Sequence, residues 1–123
     1  MGIDIYMNWK DQTEDEKQSQ FSGFSIEHGH VGYLREAYHG TPYATQYLVK
    51  EAFDSDEGEA YIPSTLLRER LPETLKLHIR RSKDIYGEDV KETDPSAKAF
   101  TDFVELAEKL TMEGKPPSII ASY

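Results

Sequence analysis

Residues 28–47 concentrate the side chains that could bind a ligand or catalyse a reaction. This stretch carries three of the four histidines and four of the eight tyrosines of the chain. Aromatic rings with polar tips beside arginine, glutamate and histidine are typical of a ligand pocket, and the glycines at 23, 29, 32 and 40 would let the backbone approach a ligand closely. The pocket residues predicted from this pattern are His28, His30, Tyr33, Arg35, Glu36, Tyr38, His39, Tyr43 and Tyr47.

A divalent metal site is one chemistry that this stretch could support. His28 and His30 would point to the same face of a strand, and imidazole suits zinc, nickel, copper or iron. His39 or Glu36 could complete the ligand set and leave a position for water, whose pKa the metal would lower to give a hydrolytic nucleophile. The chain has no H-E-x-x-H motif. The alternative is that both histidines lie at a strand end and bond to backbone or solvent.

The same stretch could also bind a small ligand or act as a hydrolase without a metal. A histidine could serve as general base because its pKa lies near neutrality, and Arg35 could hold a carboxylate or a phosphate. The sequence contains no G-x-S-x-G, P-loop or dinucleotide-binding glycine pattern. The alternative is that Tyr33 and Tyr38 belong to the inner face of a short helix over residues 32–40.

Two charged clusters elsewhere fit a structural role better than a binding role. The acidic stretch 54–59 departs from an EF-hand loop, because glycine falls at position 5 instead of 6 and threonine replaces the glutamate of position 12. It is therefore predicted to be a solvated turn. The basic residues of 68–83 have acidic neighbours with which to pair, and His78 among them is predicted to face solvent.

Hydrophobic periodicity predicts the strands that position these residues. Alternating apolar residues predict strands near 2–9 and 22–30, and short apolar runs predict two more near 59–62 and 118–122. The last of the four would form an edge of the sheet or cover another molecule. The polar stretch 10–20 is predicted to be a loop or a short solvated helix.

Helical spacing predicts three to four helices packed on a small antiparallel sheet. Pro72 disfavours a helical Leu71, so a break is expected there. The last helix is the best defined, with Asp94 as N-cap, Pro95 in the first turn and an apolar stripe over 100–110. Together, the strands and helices predict a single α+β domain over residues 1–123. The helical segments lie near 41–53, 65–70, 72–86 and 95–113.

Length and composition agree with one domain that needs no covalent cross-link. The chain has 123 residues, near the usual size of a domain. It has no cysteine, which excludes disulfides, thiolate catalysis and zinc sites of the cysteine type. There is no signal-peptide pattern and no apolar run of about 20 residues, the length needed to span a bilayer. A cytoplasmic protein that does not bind membranes is therefore expected.

The charge balance bears on the class of partner. The 23 acidic and 14 basic residues give a net charge of −9, which repels nucleic acid and attracts basic proteins or cations, or serves solubility alone. With no catalytic motif and an apolar C-terminal tail, the sequence favours an interaction module that acts as an oligomer, such as a homodimer, or with a protein partner. The alternative is a ligand-binding protein or hydrolase that uses the 28–47 pocket. The only cofactor predicted for this alternative is a divalent transition metal.

Overall fold

The computed structural model describes residues 2–21, 26–38 and 40–123. Within these ranges, four strands form one antiparallel sheet in the order β2-β1-β4-β3, which confirms the predicted α+β class. The strands are β1 (Gly2–Asn8), β2 (Tyr33–Ala37), β3 (Glu59–Tyr61) and β4 (Ser118–Ser122). The helices are α1 (Glu14–Phe21), a 3₁₀ helix (Ile26–Val31), α2 (Ala44–Leu48), α3 (Lys50–Asp54), α4 (Ser64–Tyr86) and α5 (Pro95–Met112).

One face of the sheet carries the hydrophobic core. The strand predicted near 2–9 is confirmed as β1, and its alternate residues Ile3, Ile5 and Met7 are almost completely buried. They form one cluster with Leu67 of α4 and Phe103 of α5. Because burying each such side chain contributes about 1.5–3 kcal/mol, this layer holds the two long helices on the sheet.

The strand predicted near 22–30 is wrong over its described part, because residues 26–31 form a 3₁₀ helix. This helix lies so close to α5 that a Cβ at Gly29 would meet the α5 backbone at 1.8 Å. Gly32 has φ +87°, and a Cβ there would lie 2.8 Å from the Cβ of Met7. Both glycines therefore allow the chain to pack on itself, which is a different role from the close approach to a ligand that the sequence suggested.

The second strand, β2, comes instead from the segment that was predicted as a short helix over 32–40. Leucine, arginine, glutamate and alanine in this segment are good helix formers, but pairing with β1 overrides that preference. β2 is one of the two edge strands of the sheet.

The strands predicted near 59–62 and 118–122 are confirmed as β3 and β4, but β4 is not at an edge. It lies between β1 and β3 and pairs with both. Ile119 and Ala121 point into the core, with exposed fractions of 0% and 7%. The C-terminal segment is therefore part of the fold, and its removal would take away a central strand.

The break predicted at Leu71 is absent, because α4 runs unbroken from Ser64 to Tyr86 with Pro72 inside it. A proline inside a helix costs about 3 kcal/mol. Leu67, Leu71 and Leu75 are all buried, and together they contribute more than that cost.

The remaining helices follow the sequence more closely. The helix predicted near 41–53 is present as α2 and α3, which meet at Val49, and α5 has Asp94 as N-cap with Pro95 in its first turn, as predicted. The polar stretch near 10–20 contains α1, whose Gln20 side chain is buried and bonds to the backbone N–H and C=O of Met7 at 3.1 and 2.8 Å. No helix among the described residues is long and apolar enough to cross a membrane.

Candidate functional site

The sheet divides the predicted pocket residues between its two faces. Glu36 pairs with Ile3 and points toward the helices, whereas Arg35 pairs with Asp4 and points to the outer face. Tyr33 shares the outer face with Arg35, because residues two apart on a strand point the same way. The described members of the predicted pocket therefore lie on both sides of β2, although Arg35 and Glu36 both border one cleft.

Tyr33 and Arg35 form a polar cluster with Asp4 on the outer face. One carboxylate oxygen of Asp4 accepts hydrogen bonds from the Tyr33 hydroxyl at 2.6 Å and from Arg35 Nη1 at 3.0 Å. The Tyr33 ring lies 5.4 Å from the ring of Tyr6. Burial, followed by the hydrogen bond to Asp4, raises the pKa of Tyr33. The hydroxyl therefore stays protonated near neutral pH and supports the sheet.

On the opposite face, Glu36 forms a buried ion pair with Arg81 of α4. Its Oε2 lies 3.1 Å from Arg81 Nε, and the two side chains are 8% and 11% exposed. The backbone N–H groups of Ala44 and Thr45 and the Thr45 hydroxyl donate to the same carboxylate at 2.9, 3.0 and 2.6 Å. Four donors thus surround the carboxylate, which offsets the cost of burying its charge.

The other donors of Arg81 connect α4 to the loop that follows β2. Nη1 donates to the carbonyls of Gly40 and Pro42, the latter at 2.9 Å, and Nη2 donates to the carbonyl of Ala37 at 3.3 Å. The guanidinium carbon lies 4.8 Å from the centroid of the Tyr43 ring, within range of a cation–π contact. The sequence predicted that the basic residues of 68–83 pair with acids close to them in the chain. Arg81 instead pairs with Glu36 of β2 and also holds the loop against the helix.

A cleft of about 300 Å³ lies beside this ion pair, between β2 and the C-terminal part of α4. His78, Ser82 and Tyr86 of α4 line one side, and Phe100 of α5 lies against them. Its volume is at the lower end of the range for small-molecule sites. The cleft could therefore hold only a small ligand.

His78 is the histidine of this cleft and is 9% exposed, so the prediction that it faces solvent is wrong. Its Nε2 lies 3.0 Å from Ser96 Oγ, and its ring is 5.2 Å from that of Phe100. Its Nδ1 has no hydrogen-bond partner among the described residues. Burial lowers the pKa of His78; Glu36 opposes this effect and Arg81 adds to it. The ring is therefore neutral at pH 7, and its Nδ1 can form a hydrogen bond with a ligand, as donor or acceptor according to the tautomer.

A second group of aromatic residues lies at the end of the sheet where β1 begins. Tyr38 follows β2 and Tyr123 follows β4, the two neighbours of β1. Tyr38 packs edge-to-face on Tyr43 at 5.9 Å, and Phe53 stacks on Tyr123 at 4.8 Å. Tyr47 lies about one helical turn beyond Tyr43. We call these five residues the tyrosine face.

Three rings of the tyrosine face are open to solvent. Tyr38, Tyr47 and Tyr123 are 39%, 41% and 62% exposed. The Tyr123 hydroxyl donates to the Phe53 carbonyl at 3.1 Å, which fixes the end of the chain. Desolvation raises the pKa of Tyr38, and the nearby Tyr43 and Tyr123 hydroxyls raise it further. Tyr38 and Tyr123 are thus close enough to influence each other.

The acidic stretch 54–59 borders the tyrosine face, directly after Phe53. Between α3 and β3 it forms a turn, as predicted, and the Ala121 N–H donates to the Gly58 carbonyl at 2.7 Å. This bond holds the turn against the end of β4. The exposed carboxylates of this acidic turn belong to Asp54, Asp56, Glu57 and Glu59.

The metal site predicted from His28, His30 and His39 stays a prediction. His39 and the side chain of His28 lie outside the described residues, and His30 is exposed. The proposed geometry is wrong, however, because residues two apart do not share a face of a 3₁₀ helix with three residues per turn. Among the described residues, no three metal-ligating side chains come together.

Sequence reasoning missed His78 in the cleft and both Phe53 and Tyr123 in the tyrosine face. No local pattern connects Phe53 to Tyr123, which are 70 residues apart in the chain. His78 did carry a signal, since it belongs to a helical stripe that becomes visible when the helix is continued through Pro72. The stripe consists of Leu67, Leu71, Leu75, His78 and Ser82.

No protein-family model matches this chain, and no curated protein or solved structure is significantly similar to it.

Proposed function

We propose that this chain is a protein-interaction module that binds its partner through the tyrosine face. The observation that carries the proposal is the exposure of Tyr38 and Tyr123 at one end of the sheet, together with that of Tyr47, which lies about one helical turn beyond Tyr43. Tyrosine is enriched at protein interfaces and at their energetic hot spots, because it offers a large rigid ring and a polar tip. The Tyr38 ring packs against Tyr43 and the Tyr123 ring against Phe53. Both rings are therefore ordered before a partner binds, which lowers the entropy cost of binding.

The ion pair in the cleft is less suited to binding a partner. The carboxylate of Glu36 already accepts three hydrogen bonds and forms an ion pair with Arg81, which in turn donates to three backbone carbonyls. Recruiting Glu36 to a partner would break buried hydrogen bonds, and recruiting Arg81 would break the buried ion pair. The tyrosine face can bind without such a loss, which supports the interaction reading over a catalytic one.

The proposal is tested by capturing the partner from cells of the source organism with three forms of the chain. These are the unchanged protein, the double variant Tyr38→Ser with Tyr47→Ser, and the control Tyr86→Ser. Tyr86 is a fair control because it is 53% exposed but lies at the cleft. A partner of the tyrosine face is retained by the unchanged and control proteins and lost by the double variant. The complex should then re-form from the two purified components.

Self-association is the other form that such an interaction can take. Sedimentation of the unchanged chain over a range of concentrations measures it directly, and the same double variant should shift a homodimer to monomer. The proposal would be contradicted if the double variant Tyr38→Ser with Tyr47→Ser still captured the partner and also kept the sedimentation mass of the unchanged chain.

Small-ligand binding in the cleft is a second candidate, favoured by the buried His78 with its open Nδ1. Benzoate and benzylamine are suitable probes, since they are similar in size and opposite in charge. At about 10 mM, a probe bound even weakly should shift the ring signals of His78 and Phe100 in NMR spectra. If neither probe shifts them, this candidate is lost.

A further inference from the structure

We infer that the partner of the tyrosine face is a basic protein segment, whose arginine side chains lie over the exposed rings and pair with the acidic turn. The inference rests on the proposed function and names the chemistry of the partner. It is supported by a contact inside the molecule, by the charge around the face and by the placement of the turn.

The contact inside the molecule is the one between Arg81 and Tyr43. The Arg81 guanidinium lies 4.8 Å from the Tyr43 centroid, so one ring of this face already packs with an arginine. A guanidinium is attracted to the negative face of an aromatic ring, and its planar shape allows it to stack there. Tyr38, Tyr47 and Tyr123 offer rings of the same kind with open surface.

The chain segment that carries Tyr43, Tyr47 and Phe53 is predominantly acidic. Residues 41–62 contain five acids and a single base, Lys50. Glu51 forms an ion pair with Arg70 of α4 at 2.6 Å, so its charge is neutralised within the molecule. The four exposed acids of the acidic turn make no ion pair with any described residue. Glu59 does accept a hydrogen bond from Ser118 Oγ at 2.7 Å, at the end of β4 away from Tyr123. The carboxylates of Asp54, Asp56 and Glu57 are therefore the ones available to cations from another molecule.

The placement of the turn brings its backbone next to the rings. Phe53 both stacks on Tyr123 and precedes the turn, while the bond between Ala121 and Gly58 fixes the turn beside the last strand. An extended basic segment could therefore place one arginine over a ring and the next against a carboxylate. Arginine suits this arrangement better than lysine, because its planar fork can stack and also pair in a bidentate manner. The net charge of −9 would speed its approach.

The test uses the full chain and three fluorescent nonapeptides of the same length, in which glycine alternates with arginine, lysine or glutamate. Binding is followed by fluorescence anisotropy at low and at physiological salt. The arginine peptide should bind most tightly, the lysine peptide several-fold more weakly, and the glutamate peptide not at all. Affinity for the arginine peptide should fall as salt rises, because exposed charges are screened.

Variants separate recognition by this face from a diffuse attraction to an acidic protein. Tyr38→Leu combined with Tyr123→Leu should weaken the arginine peptide about tenfold, at roughly threefold for each ring. Tyr38→Phe keeps the ring and should bind as the unchanged protein does. Asp56→Asn with Glu57→Gln should weaken binding several-fold. The control Glu88→Gln with Glu92→Gln makes the same charge change on the loop between α4 and α5 and should have little effect.

Equal binding of the arginine peptide to the double leucine variant, or equal losses with the two charge variants, would overturn the inference. The same holds if the glutamate peptide binds as well as the arginine peptide. Even with such results, the proposed function holds as long as the double variant Tyr38→Ser with Tyr47→Ser fails to capture the partner. Retention of that partner by the serine variant would instead remove the proposed function itself.

Discussion

The cleft and the tyrosine face lie on either side of one short loop and use their polar groups in opposite ways. In the cleft, Glu36 and Arg81 are buried and bonded on all sides. In the tyrosine face, Tyr38 and Tyr123 are anchored through their rings and keep much of their surface open. The charged pair therefore serves the fold, whereas the aromatic residues keep a large part of their surface open to solvent.

The reason for this difference is the cost of burying charge. An ionised carboxylate can leave water only if donors replace its hydration, so a buried Glu36 must bond to the protein. A tyrosine ring gains by partial burial and can leave the rest of its surface to a partner. A buried, paired charge near the sheet edge is thus accounted for by stability alone, and the ordered aromatic surface is where we propose that the function lies.

The largest effect is expected from breaking the buried ion pair. Glu36→Gln keeps the shape of the side chain but leaves Arg81 without a counter-charge, which should destabilise the chain by about 3 kcal/mol or more. Urea unfolding measures the change. The control is Arg68→Met, which breaks the more exposed pair with Glu108 and should cost less than about 1 kcal/mol. Similar losses for both variants would mean that burial does not distinguish the two ion pairs.

A smaller effect is expected from pH, through His78. Its pKa is lowered in the folded state from an ordinary value of 6.5, so the unfolded chain takes up the proton first as the pH falls. The stability that the neutral ring contributes is complete above pH 6.5 and declines as the pH drops through and below that value. Urea unfolding between pH 8 and pH 5 should show this decline in the unchanged chain and less of it in His78→Gln. If the free energy of unfolding changed with pH equally in both proteins, the His78 ring would be in contact with solvent.

The smallest effect on stability is expected at the tyrosine face. Tyr38→Ser and Tyr47→Ser remove side chains with large exposed fractions, so each should change the free energy of unfolding by about 0.5 kcal/mol or less. The same variants should remove partner binding. A loss of several kcal/mol would identify these residues as part of the core and would reverse the comparison with the cleft.

Elements fixed by local pattern were predictable from the sequence, and elements fixed by distant contacts were not. The alternation of β1 and the cap and stripe of α5 are local signals, and both elements formed as predicted. β2 reads as a helix in isolation, and only its pairing with β1 makes it a strand. Likewise, the buried leucines on both sides of Pro72 keep α4 continuous where the proline alone predicts a break.

The same limit applies to the sites. The sequence predicted Tyr38, Tyr43 and Tyr47 as parts of a pocket together with the histidines. In the structure, these tyrosines form one surface with Phe53 and Tyr123. The order of strands in the sheet brings these distant parts of the chain together. The C-terminal segment was predicted to form an edge of the sheet or to cover another molecule. It instead forms a central strand, and Tyr123 at its end joins the tyrosine face.

The most direct test of the central claim is an NMR titration of the isotope-labelled full chain with the captured partner, in which the backbone signals that shift are assigned. The account predicts that the shifts concentrate at Tyr38, Tyr47 and Tyr123 and in the acidic turn, while His78 and Tyr86 at the cleft stay unchanged. Shifts that concentrate around His78 and Tyr86, with the tyrosine face unaffected, would contradict it.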